Sequence, residues 1–261
     1  QHLVGGKAYM TDWNRVREIQ HLRESGRPAD ALAELVAIRE DTRDESDRSS
    51  ILLHESLCYR DLGQFSKAAE AASAAINLLP PESPSRPYAE FSLACVHEME
   101  GKFDLAVQEF RALLKKSTVL LSTTDIQFRR GIQLRLIANL IVLGHGVEPL
   151  SIADGLKTED ISAEERAELS YREAQAHGLL GRHDKSQRLY EEAAAGPLQG
   201  FLAARAHFHI GEALYDRGEF SRALEAFKNA EVLAESSSSD QELFAKWIKH
   251  TRKALSESRS Q

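Results

Sequence analysis

The sequence predicts an all-α fold, arranged as about six antiparallel helix pairs with one further helix at the C-terminal end. Three observations carry this prediction. Only 7 prolines and 15 glycines occur among 261 residues, while alanine, leucine and glutamate are abundant, and this composition favours helix. Apolar residues recur with helical spacing along most of the chain. Six glycines return at nearly constant intervals, at Gly26, Gly63, Gly101, Gly144, Gly181 and Gly218.

The intervals between these glycines are 37, 38, 43, 37 and 37 residues, which indicates that each glycine ends the first helix of one unit. Two antiparallel helices that cross closely need a small side chain at the crossing. The position five residues after each glycine meets this need and is Ala31, Ala68, Ala106, Pro149, Ser186 or Ala223. The position nine residues after each glycine is predicted to face the core and is Leu35, Ala72, Phe110, Ala153, Tyr190 or Phe227.

Taken in order, residues 1–10 carry no interpretable pattern and are left unassigned. The six units are predicted over residues 11–238, starting with about 11–41, 47–79 and 88–116 and ending with a fifth unit that runs to about residue 195 and a sixth after Gly196-Pro197. Residues 80–87 hold four of the seven prolines, so we expect a stiff loop there. Ser162 and Glu165 have the spacing of a capping box, which predicts a helix start.

The fourth unit, about residues 118–157, is irregular. Residues 117–125 are inserted before its first helix, which is predicted over about 125–143 and is strongly apolar. Its second helix is short, with Pro149 near the start and Asp154-Gly155 near the end. A hinge or widened groove and a degenerate but packed repeat are both consistent with this pattern, and we favour the packed repeat.

Residues 239–261 are predicted to form a capping helix, over about 240–256, and a tail. Five apolar residues share one face of this helix: Leu243, Phe244, Trp247, Ile248 and Leu255. Four cationic residues lie away from that stripe: Lys246, Lys249, Arg252 and Lys253. An array of helix pairs needs a last helix that covers its exposed core and turns a polar side to solvent. The alternative is that this basic amphipathic helix docks on a partner.

The sixth unit carries the pattern most clearly, with Ile210-Gly211, Leu214, Gly218, Phe220, Ala223, Phe227 and Ala230 at fixed offsets within residues 203–233. This spacing resembles the tetratricopeptide repeat, although His207 stands where the repeat begins with an aromatic residue. The family period is about 34 residues, so these units have longer helices or connections. The resemblance implies a right-handed α-solenoid, a superhelix of such repeats, that acts as a non-enzymatic scaffold and binds a protein or peptide partner.

Charge and cysteine content limit the partners and the compartment. The net charge of −7 argues against bulk attraction to nucleic acid or to an anionic membrane. No apolar run approaches the ~20 residues that span a bilayer. Cys58 and Cys95 both fall in helical patterns, so we expect no disulfide framework and a reducing, cytoplasmic compartment. Because the chain begins at Gln1, a lost signal peptide, a tag or an upstream domain are alternatives that stay open.

Motifs for catalysis or metal binding are missing from the sequence. It has no glycine-rich phosphate loop, no Gly-x-Ser-x-Gly and no Cys-x-x-Cys. His97-Glu98 begins like a metalloprotease motif, but Gly101 stands where the second histidine would be. His207 and His209 lie about 200° apart around a helix, so they cannot share an ion. We therefore expect no enzyme activity, no catalytic residues, no metal site and no cofactor.

In tetratricopeptide-like arrays the first helices line a groove that binds the partner. In a frame that starts fourteen residues before each turn glycine, the fifth position is apolar in all six units: Val16, Leu53, Phe91, Leu134, Tyr171 and Phe208. The sixth position has no acidic residue: Arg17, His54, Ser92, Arg135, Arg172 and His209. We hypothesise that a partner contacts Arg17, His54, Phe91, Arg135, Tyr171, Arg172, Phe208 and His209.

Three consecutive units place Arg135, Arg172 and His209 at one frame position, which predicts neighbouring cations across the groove. Glu168 precedes Arg172 by four residues and is a local partner, whereas the turns that flank Arg135 on its own helix hold no acid. Guanidinium groups suit carboxylates. We therefore expect a partner segment with an acidic residue or a free carboxylate, beside an apolar residue that packs on Tyr171 and Phe208. A solvated face with local ion pairs is the alternative.

The family also includes a clamp of lysines and asparagines that grips a terminal carboxylate of heat-shock chaperones. The matching positions hold Val16, Gln20 and His54, or Leu53, Leu57 and Ser92 if the frame starts one unit later, so this clamp is not expected. Our first hypothesis is an interaction scaffold that holds a partner peptide or helix. The second is a regulatory domain of a larger signalling or transcription-control protein, in which a peptide or small ligand changes the curvature of the array.

Overall fold

A computed structural model of the chain describes residues 13–120, 126–234 and 239–258. Over these ranges it contains thirteen α-helices and no strand. The helices are α1 Trp13–Glu24, α2 Pro28–Asp41, α3 Glu45–Asp61, α4 Phe65–Leu78, α5 Arg86–Met99, α6 Phe103–Leu120, α7 Ile126–Val142, α8 Val147–Leu156, α9 Ala163–Leu179, α10 His183–Ala195, α11 Gly200–Asp216, α12 Phe220–Leu233 and α13 Ser239–Ser258. The predicted all-α fold of helix pairs is confirmed. The predictions for residues 1–10, for the inserted residues 121–125 and for the tail after residue 258 lie outside the described residues.

The chain divides into two compact units, residues 1–139 and 140–261. In the first unit, each helix from α1 to α5 packs on the helix that follows it. In the second unit, the same holds from α8 to α12. First helices of consecutive pairs also touch, since α1 meets α3, α3 meets α5, and α9 meets α11. Contacts confined to the next one or two helices in the chain are typical of a repeat array.

Each predicted turn glycine adopts a left-handed backbone conformation, with φ between 69° and 83° across Gly26, Gly63, Gly101, Gly144, Gly181 and Gly218. At Gly218 the N–H bonds to the Tyr215 carbonyl at 2.9 Å, and the N–H of Glu219 reaches back to Leu214 at 2.9 Å. The other five turns repeat this pair of bonds, which is the Schellman helix end. Only glycine adopts this conformation without strain, so the recurring glycine is a requirement of the turn.

The predicted crossing positions are all buried: Ala31, Ala68, Ala106, Pro149, Ser186 and Ala223. Ser186 is the one hydroxyl in this set, and its Oγ donates to the Ala174 carbonyl at 2.7 Å. The positions nine residues after each glycine are buried as well: Leu35, Ala72, Phe110, Ala153, Tyr190 and Phe227. The frame derived from the glycines therefore assigns the core of every helix pair correctly.

Helix boundaries follow local chemistry, with two corrections. The Ser162–Glu165 capping box is present, with Glu165 N–H donating to Ser162 Oγ at 3.1 Å and Ser162 N–H donating to the Glu165 carboxylate at 2.8 Å. The proline-rich loop ends earlier than predicted, because α5 begins at Arg86 and accommodates Pro87 in its first turn, where proline is tolerated. The helix α6 runs to Leu120, beyond the predicted end near residue 116.

The fourth helix pair is irregular in the predicted way. Its first helix, α7, has 17 residues, whereas α8 has 10. Gly146 precedes α8 where the chain passes close to the end of α9, and a Cβ atom there would lie 2.7 Å from Leu180 Cγ. Pro149 and Leu156 are buried in α8. This close packing favours the packed irregular repeat, and the hinge stays a hypothesis.

The last helix, α13, packs on α12 with its apolar stripe, as predicted for a cap. Phe244 and Ile248 are buried there. The start of α13 is tied to α11 by Arg205, which donates to both carboxylate oxygens of Asp240 at 2.6 and 3.2 Å. The other side of α13 is exposed and cationic.

Candidate functional site

A groove of about 420 Å³ lies between α3 and α5, the first helices of the second and third pairs. Its lining is Ser50, Leu53, His54, Leu57 and Arg60 on one side and Ser85, Tyr88, Phe91, Ser92 and Cys95 on the other. Two of the predicted partner-binding residues, His54 and Phe91, are thus brought together. This volume lies in the range of pockets that hold small ligands.

Aromatic rings fix the α5 wall of this α3–α5 groove. The Phe91 ring lies 5.9 Å from the Phe110 ring and 5.3 Å from the Phe128 ring, centroid to centroid. Tyr88 packs on the same Phe128 ring at 4.4 Å and is 44% exposed. The rings of Phe110 and Phe128 therefore fix the position of Phe91, and the partly exposed ring of Tyr88 lies at the rim of the groove.

Apart from Arg60, whose guanidinium pairs with Asp61 at 3.1 Å, the polar groups of the groove are neutral or weakly reactive. The Gln20 amide of α1 donates to the His54 ring, with an N···N distance of 3.0 Å. Burial, and then the positive charge of Arg23, lower the pKa of His54, so its imidazole is neutral at pH 7. Burial raises the pKa of the Cys95 thiol to about 11. The groove therefore offers apolar contact and neutral hydrogen-bonding groups, together with the ion-paired Arg60.

The predicted cations of the first unit do not form a free anion site. Arg17 is exposed on α1. Arg135 of α7 pairs with Glu98 of α5, with 3.0 Å between Nη1 and Oε2. The turns that flank Arg135 on α7 hold no acid, as expected, but Arg135 is nevertheless paired because the acid comes from α5 of the preceding helix pair.

In the second unit the predicted cations are also paired. Arg172 lies 3.3 Å from Glu168, which confirms the local pair expected from their spacing. His209 lies 2.9 Å from Glu212, and its ring stacks on Tyr190 with 4.8 Å between centroids. The proposed row that joins Arg135 to these two residues stays a prediction, since Arg135 belongs to the other unit.

The expectation that Tyr171 and Phe208 serve as apolar anchors for a partner was wrong. Tyr171 is 2% exposed and Phe208 is 4% exposed. The Phe208 ring packs against Phe244 at 5.1 Å and Trp247 at 6.1 Å, both from α13. These side chains are core residues, since α13 covers Phe208 and Tyr190 of α10 packs on Tyr171 with 5.6 Å between ring centroids.

Eight of the ten groove residues were not predicted as partner contacts, among them Leu57, Tyr88 and Cys95. Leu57 and Tyr88 lie one helical turn from His54 and Phe91, so helical spacing from the predicted pair was a usable signal. Cys95 follows Phe91 by four residues, so it lies on the same face of α5. The frame used one position per helix, whereas a groove is lined over two or three turns.

No group of three or more histidine, cysteine, aspartate or glutamate side chains within the described ranges is arranged to hold a metal ion. None of the helices, as far as they are described, combines the length and the hydropathy that a membrane span requires. Cys58 and Cys95 are both buried free thiols.

Stacked helix pairs with left-handed glycine turns and small crossing residues define an α-solenoid. The family model for the tetratricopeptide repeat matches residues 16–87, 56–119 and 171–239, which together make up more than half of the chain. The chain belongs to the tetratricopeptide repeat family. The fold is that of a protein-interaction scaffold, and proteins with this fold are typically non-enzymatic.

Solved structures of the same fold resemble this chain. Repeats of the tetratricopeptide type from Podosopora anserina match with a TM-score of 0.60 and 18% identity, over 70% of this chain and 93% of that chain. A tetratricopeptide repeat protein from Parabacteroides merdae matches with a TM-score of 0.58 and 14% identity, over 92% of this chain and 98% of that chain. The assembly chaperone of RpL4, Acl4, matches with a TM-score of 0.59 and 15% identity, over 94% of this chain and 96% of that chain. At these identities the likeness concerns the fold alone. No curated protein has a significantly similar sequence.

Proposed function

We propose that this protein is a non-enzymatic interaction scaffold that holds an apolar side chain of a partner protein in the α3–α5 groove. The observation that carries the proposal is the open Tyr88 ring, which stands beside Phe91 at the rim of a groove of about 420 Å³. Exposed aromatic side chains beside a preformed pocket are typical of residues that dominate protein–protein binding.

The lining indicates what the partner presents. Leu53, Leu57 and Phe91 offer apolar contact to an aliphatic or aromatic side chain. Neutral His54 and the hydroxyl of Ser92 suit the backbone amides of an extended or helical segment. The predicted preference for an acidic partner residue gains no support from Arg135, because Glu98 already neutralises its charge.

The solved structures support a role in protein interaction but do not identify a partner for this chain. The Acl4 structure belongs to an assembly chaperone of RpL4, so this fold serves a protein that acts on another protein. The second hypothesis, a regulatory domain whose curvature responds to a ligand, is not favoured by any specific contact in the described part of the chain.

Selection from a random peptide library on the intact chain, followed by titration of the selected peptides, tests the proposal. Tyr88→Asp should weaken binding by at least about tenfold, since a charge at the rim opposes burial of an apolar side chain. Hydrogen exchange in the complex should slow most in α3 and α5.

Trp13→Asp is the matched control, because Trp13 is 40% exposed in the same unit and lies outside the groove. It should leave the affinity within about twofold. Peptides that bind Tyr88→Asp as tightly as the wild-type chain would show that the groove is not the binding site.

A further inference from the structure

The capping helix α13 has two faces of different chemistry. Phe244 and Ile248 are buried against the second unit. Trp247 stands at the edge between the faces, where its ring lies 5.3 Å from the Phe227 ring and 5.4 Å from the Tyr215 ring. The packing face therefore fixes the helix and the position of Trp247.

Four exposed cations cover the other face: Lys246, Lys249, Arg252 and Lys253. Among the described residues, Lys246, Lys249 and Arg252 have no carboxylate within ion-pair distance, and Lys253 has a single distant one, Glu257 at 3.8 Å. Like charges three and four residues apart destabilise a helix. The like charges on this face therefore repel one another, and an anionic partner would reduce this repulsion.

Several cations of the first helices are neutralised by the fold. Arg135 pairs with Glu98, Arg172 with Glu168, and Arg205 with Asp240. Other exposed cations, such as Arg17 and Lys228, have no ion pair within the described residues. The last helix differs from these isolated cations because four cations share one of its faces, in a chain whose net charge is −7.

An apolar surface accompanies the cations. Lys246, Lys249, His250 and Lys253 lie with Trp247 around a concavity of about 430 Å³. The His250 ring packs on Tyr215 with 5.3 Å between centroids, which extends the aromatic surface from Trp247. Lys246, Lys249 and Lys253 follow one another at helical spacing, so they form a stripe about 10 Å long beside the tryptophan.

We propose that the exposed face of α13 is a second interaction surface, and that it binds an acidic segment of a partner protein that carries an apolar residue. Carboxylates at helical or extended spacing pair with the stripe of lysines, and the apolar residue packs on Trp247. The charge complementarity is local, because the rest of the molecule is acidic and repels a long anionic polymer such as nucleic acid. A short acidic peptide that meets only α13 avoids this repulsion.

Tryptophan fluorescence tests the proposal directly, since the chain holds two tryptophans. In a Trp13→Phe background, Trp247 is the only reporter. The probe is a synthetic peptide with the sequence Glu-Glu-Leu-Phe-Glu-Glu-Leu, and its partner probe has glutamine in place of each glutamate. We expect a shift of the Trp247 emission, at least about tenfold tighter binding of the glutamate peptide at low salt, and loss of that preference at high salt.

The double variant Lys249→Glu, Lys253→Glu should bind the glutamate peptide at least about tenfold more weakly than the wild-type chain. Lys228→Glu is the matched control, because Lys228 is exposed on α12 and also has no ion pair within the described residues. It should change the affinity by less than about twofold. Tyr88→Asp in the α3–α5 groove should leave this titration unchanged, which separates the two proposals.

Equal affinity for the glutamate and glutamine peptides would overturn the inference. Unchanged binding in the Lys249→Glu, Lys253→Glu variant, with its helicity intact by circular dichroism, would do the same. Tighter binding of a single-stranded oligonucleotide than of the glutamate peptide would assign the face to nucleic acid instead and would also overturn it.

Discussion

Gly211 of α11 lies against the ring of Phe227 of α12, and a Cβ atom built on Gly211 would stand 2.6 Å from Phe227 Cε1. The Phe227 ring is fully buried between the Phe208 ring at 5.6 Å and the Trp247 ring at 5.3 Å. It therefore has no space into which to move. The glycine lets the two helices of the last pair approach closely.

Gly211→Ala should lower the free energy of unfolding by about 1–3 kcal/mol through overpacking, although alanine favours helix. Gly131→Ala in α7 is the matched change, because no atom lies within 4 Å of a Cβ there. It should stabilise the protein by up to about 1 kcal/mol. Differential scanning calorimetry of both variants measures the opposite shifts. A stabilising Gly211→Ala would contradict the described contact.

Ala223→Leu tests the helix crossing in the same pair. Ala223 is fully buried where α12 meets α11, so the larger side chain should cost about 1–3 kcal/mol. Ala112→Leu, at an exposed position of α6, should stay within about 0.5 kcal/mol. Urea unfolding followed by circular dichroism gives both values. Equal shifts for the two variants would show that the position five residues after the glycine is not a crossing point.

The repeat frame was predictable because its chemistry is local. A turn with positive φ selects glycine, and a close crossing selects alanine or serine, so Gly218 and Ala223 can be placed from their spacing alone. Exposure at the groove positions was not predictable in this way. Phe91 and Phe208 occupy the same frame position, yet Phe208 is buried because α13 covers it, whereas Phe91 lines an open groove.

The ion pairs, too, were predictable only where both partners lie on one helix. Spacing within one helix identifies Glu168, four residues before Arg172, as its partner. The partner of Arg135 is Glu98, 37 residues earlier, a separation that equals the common interval between the turn glycines. Arg23 of α1 and Asp61 of α3 are separated in the same way, so ion pairs between the first helices of neighbouring pairs lie about one repeat apart. That spacing is the signal that was missed.

Stability should fall as the pH drops below about 6.5, because three histidines resist protonation in the folded state. Burial lowers the pKa of His54, His177 and His207, and nearby cations add to the effect at His54 and His177. Above the unfolded pKa of about 6.5 both states hold neutral imidazoles, so the full stability is present. Below it the unfolded chain takes up protons first, so stability is lost as the pH falls toward the folded pKa values.

Urea unfolding at several pH values between about 5 and 7.5 measures this slope. His207→Gln should make the slope shallower, since it removes one of the three groups. Asn229→Gln, which changes an exposed non-titrating side chain beside the same surface pocket, should leave the slope unchanged. A slope that His207→Gln does not alter would mean that this histidine titrates alike in both states.

Cys95 gives a chemical readout of the α3–α5 groove. Burial raises the pKa of its thiol from 9.0 to about 11, so the thiolate is about a hundredfold scarcer at neutral pH than in the unfolded chain. In a Cys58→Ser variant, where Cys95 is the only thiol, alkylation by iodoacetamide should be at least about a hundredfold slower in the native protein than in urea. The native rate should rise about tenfold per pH unit until the pH approaches 11.

A peptide bound in the groove should slow the alkylation of Cys95 further. In a Cys95→Ser variant, the buried Cys58, which lies outside the groove lining, should react at the same rate with and without the peptide. Native Cys95 that reacts as fast as the unfolded thiol would contradict both its burial and the described shape of the groove.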